Sequence, residues 1–60
     1  MRDMRLSIPR LLSVGRYGIV VLARTTVQAT KLAREIDPVA KLDYYDLEQD
    51  GTMVVVFVRG

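Results

Sequence analysis

Arginine side chains offer this chain its clearest chemistry, because guanidinium groups bind phosphate. Residues 13–18 (SVGRYG) place Arg16 beside Tyr17 in a glycine-bearing loop, and residues 24–28 (RTTVQ) join an arginine to two hydroxyls at a predicted helix start. The free N–H groups of a helix N-terminus favour an anion, and arginine and tyrosine stack on bases. We predict a nucleic-acid-binding surface made of Arg2, Arg5, Arg10, Arg16, Tyr17, Arg24, Lys31 and Arg34.

Carboxylates cluster in the second half of the chain, where Asp46, Glu48 and Asp50 alternate before a glycine. Paired carboxylates act as acid and base only where burial or a close neighbour shifts the pKa of one of them. Residues 46–51 (DLEQDG) resemble the start of an EF-hand calcium loop, but position three is a glutamate and position twelve is Phe57. We therefore predict a solvated hairpin tip and no metal site.

Two reactive residue types are absent from the chain, which contains no cysteine and no histidine. Disulfides, thiolate metal sites and the commonest general base are thereby excluded. We predict a protein that is not an enzyme and has no catalytic residue, metal or small-molecule cofactor. Asparagine and tryptophan are also absent and arginine outnumbers lysine, a composition that leans towards a thermophilic source.

Charge is divided unevenly along the chain. Residues 1–34 contain seven basic side chains and one acidic side chain, whereas residues 35–60 contain two basic and six acidic side chains. The net charges of the two parts are therefore +6 and −4. Such an asymmetry indicates a polyanionic partner, complementary patches that meet between subunits, or neutralisation within one fold.

Four segments have the pattern of β-strands. Residues 4–8 alternate between apolar and polar side chains and precede Pro9, which favours an edge strand that residues 10–14 resume after a bend. Residues 17–23 and 53–58 contain continuous apolar runs and are predicted as central strands. Residues 39–49 alternate until Tyr44 and Tyr45, where a bulge is expected.

One helix is predicted between the second and third strands. Thr25 and Gln28 fit a capping box, in which each side chain accepts a hydrogen bond from a free backbone N–H. Pro38 disfavours helical geometry at the preceding residue and ends the helix. The apolar stripe of this helix consists of Ala29, Leu32, Ala33 and Ile36.

The dipeptide Asp50–Gly51 predicts a two-residue hairpin turn between the last two strands. In that register Leu47 pairs with Val54, and Tyr45 pairs with Val56.

The elements predict an α+β fold in which one domain, residues 1–60, has the order ββαββ. A four-stranded, mainly antiparallel sheet carries the helix on one face. One helix leaves the other face uncovered, and an exposed apolar patch usually marks an interaction surface. We predict a protein interface on that face formed by Tyr45, Val54, Val56 and Val58.

Two functions fit these features. The first is a small accessory RNA-binding protein of a ribonucleoprotein such as the ribosome, with arginines on phosphates. The alternative is a homo-oligomeric interaction module that assembles through its apolar sheet face and has no role with nucleic acid. No apolar run approaches the roughly 18 residues of a membrane span, so we expect no membrane partner and a cytoplasmic location.

Overall fold

The computed structural model describes residues 8–60, which form four strands and one helix. The elements are β1 (Arg10–Val14), β2 (Gly18–Ala23), α1 (Thr26–Ile36), β3 (Lys41–Leu47) and β4 (Met53–Val58). This confirms the predicted α+β class and the order ββαββ. Of the strand predicted at residues 4–8, residues 4–7 lie outside the described part, and Ile8 precedes β1 without belonging to a strand.

The sheet has the strand order β1-β2-β4-β3, and each pair of neighbours is antiparallel. The apolar strands β2 and β4 are central, as predicted. Each edge strand carries an irregularity, between Leu11 and Ser13 in β1 and between Leu42 and Tyr44 in β3. Such bulges interrupt the row of free N–H and C=O groups that makes an edge prone to pairing with another chain.

Helix α1 begins as the capping pattern predicts, with one difference. The Thr25 hydroxyl accepts a hydrogen bond of 3.0 Å from the N–H of Gln28. The Gln28 side chain accepts one of 2.9 Å from the N–H of Arg24, one residue before the cap and not from the cap itself. The 11-residue helix ends at Ile36, and Asp37 is its C-cap. Among residues 8–60 no helix has the length and apolar character to cross a membrane.

The core lies between α1 and the two central strands. Two alanines of the helix stripe are buried and let the helix approach the sheet closely, while Leu32 and Ile36 pack at their sides. The fully buried members of this core are Ile19, Val21, Ala23, Ala29, Ala33, Ala40, Val55 and Phe57. Packing also explains why position 18 is a glycine, because a Cβ there would lie 3.1 Å from the carbonyl oxygen of Phe57.

The β3–β4 hairpin differs from the predicted two-residue turn. Leu47 pairs with Met53, and the N–H of Glu48 donates to the carbonyl of Thr52 at 2.8 Å. Gly51 has a φ of 90° and is the only residue of the described chain with positive φ, whereas a type I′ turn needs positive φ at both central residues. The loop therefore contains three residues, and the predicted pairing was wrong by one position.

Candidate interaction surface

The sheet face opposite α1, here called the open face, is built from three rows of residues that run across the strands. Strand register fixes these rows, because directly paired residues lie on the same face of a sheet. Row one contains Arg10, Leu22, Val54 and Asp46; row two contains Ser13, Val20, Val56 and Tyr44; row three contains Gly15, Gly18, Val58 and Lys41.

The centre of the open face is apolar. Its members are Val20, Leu22, Tyr44, Val54, Val56 and Val58. Tyr44 is 53% exposed and Val58 is 49% exposed, while the other four are half-buried by their neighbours on the sheet. The alternation predicted for β4 is confirmed, since Val55 and Phe57 on its other side are fully buried under the helix.

Among the residues of the three rows, charged side chains occur only at the edges of the open face. Arg10 lies on β1 at one end of row one, and Asp46 lies on β3 at the other end of the same row. Lys41 lies on β3 at the end of row three. The open face therefore combines an apolar centre with one basic edge position on β1 and both signs of charge along β3.

Tyr45 lies on the side of the sheet opposite to the one predicted. It pairs with Val55 and so points to the helix side, while Tyr44 pairs with Val56 on the open face. The one-residue change in hairpin register causes this exchange, because the pairing runs without interruption from Leu47 back to Tyr44. On the helix side, α1 packs against β2 and β4, and Leu42, Tyr45 and Leu47 of β3 are 41%, 51% and 69% exposed.

Asp37, the C-cap of α1, joins the end of the helix to the residues that follow β4. Its carboxylate accepts a hydrogen bond from the N–H of Val39 at 3.1 Å and from Nε of Arg59 at 3.2 Å. The same arginine donates to the carbonyl of Gly15 at 3.1 Å. The bond from Val39, aided by those from Arg59 and Gly60 and opposed by burial, holds the pKa of Asp37 below its usual value.

The hairpin tip is fixed by its own carboxylate. Asp50 accepts hydrogen bonds from the hydroxyl of Thr52 at 2.6 Å and from the N–H of Thr52 at 3.0 Å. These bonds, with a smaller effect of the positive charge of Arg24, lower the pKa of Asp50. A shallow depression of ≈ 550 Å³ lies beside the tip, lined by this loop and by Leu22 and Val54 of row one.

The structure distributes the predicted nucleic-acid-binding residues over several surfaces. Arg10 lies on the open face, Arg16 and Tyr17 lie in the β1–β2 turn, and Arg24 lies at the opposite end of β2. The six residues of β2 separate these two ends by about 20 Å. Lys31 and Arg34 lie on exposed positions of the helix, where Nε of Arg34 donates to the carbonyl of Ala40 at 3.1 Å. Arg2 and Arg5 lie outside the described residues.

Sequence reasoning assigned Val54, Val56 and Val58 to this face and Arg10 to a nucleic-acid surface. It did not assign the six other side chains of the rows to any site, namely Ser13, Val20, Leu22, Lys41, Tyr44 and Asp46. Alternation cannot place Ser13 in β1 or Tyr44 and Asp46 in β3, because an irregularity in each of these strands shifts its phase by one residue. The hydrogen bonds of Asp37 and Asp50 could have been predicted from the sequence, since an aspartate before proline or glycine often accepts a hydrogen bond from the N–H two residues later.

Comparison of the chain with protein-family models, curated proteins and solved structures found no match. Its function is therefore inferred from the chemistry of its own surfaces.

Proposed function

We propose that the protein is a small non-enzymatic interaction module that associates with a second copy of itself through the open face. The observation that supports this proposal is the apolar centre of that face, six side chains in three adjacent rows with charge only at the edges. Apolar area that leaves water stabilises by about 25 cal/mol per Å², so a face of this kind favours a covered state.

The size of the core supports the same proposal. Among the described residues the largest fully buried side chains are Phe57, Ile19, Val21 and Val55. A chain of 60 residues buries only about 60% of its unfolded surface and is marginally stable alone. Covering the open face would add a second apolar layer and stabilise the fold by mass action.

The test is a substitution at the centre of the open face with a matched control on the helix. Val56→Lys places a charge in row two, and Val27→Lys makes the same change at a valine on α1 that is 70% exposed. We expect sedimentation velocity between about 5 µM and about 500 µM to show dimers for the wild type and Val27→Lys, and monomers for Val56→Lys. A folded wild-type chain that stays monomeric at about 1 mM would overturn the proposal.

A second candidate function is binding of RNA, as in a ribonucleoprotein. Its specific support is the β1–β2 turn, where Arg16 is exposed beside Tyr17, which is 78% exposed. An arginine and an aromatic ring together suit a phosphate and a stacked base. The turn lies at one end of the sheet, beside the open face, so this function is compatible with self-association.

Fluorescence anisotropy with a labelled RNA, titrated with salt, tests the RNA proposal. Affinity should fall with added salt, because phosphate contacts release counterions. Arg16→Ala and Tyr17→Ala should each weaken binding, whereas Lys41→Ala at the far edge of the sheet serves as a control. Absence of binding at low salt would remove RNA from consideration. A cytoplasmic location and a thermophilic source stay predictions from composition.

A further inference from the structure

The residues at the edges of the open face indicate how two copies would be oriented in a dimer. This inference rests on the proposed function. Two identical sheets that pack face to face are related by a two-fold axis lying between them. With strands roughly aligned, that axis runs either along the strands or across them. The two arrangements bring different residues together, so the three rows distinguish them.

An axis along the strands keeps each row opposite the same row of the second copy but reverses its order. Strand β1 then covers β3 of the second copy, and β2 covers β4. Arg10 faces Asp46 of the second copy, and by symmetry the reverse contact also forms. Size matches as well, because Ser13 faces Tyr44 of the second copy and Gly18 faces Val58.

An axis across the strands places each strand over itself and exchanges rows one and three. Asp46 then faces Lys41 of the second copy, so this arrangement also pairs opposite charges. Its packing is poorer, because the large Tyr44 meets its own copy at one edge while the small Ser13 meets its own copy at the other. Large-on-large and small-on-small contacts produce overlap at one edge and a gap at the other.

We infer that two copies of this chain pair open face to open face about a two-fold axis parallel to the strands, with Arg10 of each copy bound to Asp46 of the other. Arginine suits this contact because its planar guanidinium can bind a carboxylate through two hydrogen bonds. The acidic hairpin tip of each copy then lies near the β1 end that carries Arg10 of the other.

The area of the face sets the expected affinity. Four strands about 4.8 Å apart and three rows about 7 Å apart give on the order of 400 Å² per copy. The two copies together would bury roughly 800 Å², which is below the roughly 1,200 Å² at which stable complexes begin, so we expect a weak dimer with a dissociation constant of roughly 10–100 µM.

A charge-exchange experiment tests the orientation. Arg10→Asp and Asp46→Arg should each raise the dimer dissociation constant about tenfold or more, because each change creates two like-charge contacts. The double variant R10D/D46R should restore it to within about threefold of the wild type. Lys31→Asp on α1 is the matched control: it changes the net charge by the same amount as Arg10→Asp outside the open face, and it should leave the dissociation constant nearly unchanged. Lys41→Asp distinguishes the two arrangements, because Lys41 faces Gly15 of the second copy in the proposed one and Asp46 in the other, so it should weaken the dimer far less than Arg10→Asp.

The outcomes separate the orientation from self-association itself. Dimers that respond to Lys41→Asp as strongly as to Arg10→Asp, or that respond to Arg10→Asp without rescue in the double variant, would overturn the orientation and leave the proposed function standing. A monomeric wild type would overturn both. Circular dichroism verifies that each variant is folded. If Arg10→Asp unfolds the chain, Arg10→Gln, Asp46→Asn and their double variant replace the charge-reversed set. The proposed contact then requires that the double variant weakens the dimer less than the sum of the two single changes.

Cross-linking supplies a second test that does not depend on charge. The chain has no cysteine, so single cysteines can be introduced at Ser13 and Tyr44. Packed sheets lie about 10 Å apart, which suits a short bis-maleimide better than a disulfide. A mixture of Ser13→Cys and Tyr44→Cys chains should yield the mixed dimer. Efficient cross-linking of Tyr44→Cys to itself would instead support the axis across the strands and overturn the inference.

Discussion

Two neighbouring valines on β4 allow the difference between the two sheet faces to be measured. Val55 is fully buried under α1, whereas Val56 is half-buried on the open face. Val55→Ala and Val56→Ala lose the same strand propensity and the same two methyl groups. The difference between their effects on the free energy of unfolding therefore reports burial.

The expected magnitudes follow from that burial. Removing two buried carbons at Val55 costs about 1.6 kcal/mol in transfer free energy, and the cavity left behind raises the loss to about 2 kcal/mol or more. The same truncation at half-buried Val56 should cost less than about 1 kcal/mol in the monomer. A domain of this length has about 3–9 kcal/mol of stability in total, so only Val55→Ala should bring it near the threshold of unfolding.

Urea denaturation followed by circular dichroism measures both changes. With a slope of about 1 kcal/mol per M for a small protein, Val55→Ala should lower the urea midpoint by about 2 M at a chain concentration near 1 µM. If a dimer covers the open face, the loss of unfolding free energy in Val56→Ala should be larger at higher chain concentration. Equal losses at the lowest concentration would refute the assignment of an uncovered face in the monomer.

Three further predictions concern the β3–β4 loop, the hydrogen bonds of Asp37 and Asp50, and the helix cap. Gly51→Ala should lower stability by about 1 kcal/mol, because the φ of 90° strains any residue with a Cβ; Gly15→Ala, without positive φ, should have a smaller effect, and equal melting temperatures of the two variants would contradict this account. The folded-state pKa values of Asp37 and Asp50 lie below the unfolded value of about 3.9, so the stability that these groups supply is complete above that value and is lost as pH falls through the folded-state pKa values. Asp37→Asn should therefore reduce the acid dependence of the melting temperature below about pH 4 without abolishing it, and an unchanged dependence would contradict the role of Asp37. Thr25→Ala should lower the free energy of unfolding by about 1 kcal/mol through loss of the cap bond to Gln28, whereas a melting temperature equal to that of the wild type would show that the cap contributes nothing.

Most of the fold was predictable from local signals. The capping residue Thr25, the stop at Pro38 and the apolar stripe of α1 specify the helix because they act within a few residues. The continuous apolar runs identified β2 and β4 as the central strands, since the side chains of a central strand pack against a neighbouring strand on each side. These features depend on neighbouring residues alone, and the structure confirms them.

The candidate surface was only partly predictable. Val54, Val56 and Val58 follow from simple alternation in β4. Tyr44 does not, because its face depends on a bulge and on a hairpin loop longer than the Asp50–Gly51 signal indicates. A dipeptide with strong turn preference is compatible with more than one loop length, and each extra residue moves the partner strand by one position.

The element types, the two sides of β4 and the uneven distribution of charge all follow from residue order. These properties depend only on the order of the residues and on the two-residue period of a strand. The position of β4 between β2 and β3 could be seen only in the folded chain, and it places Arg10 and Asp46 at opposite ends of one row. The physical reason is that strand order and register arise from contacts between distant segments, so they have no local signature.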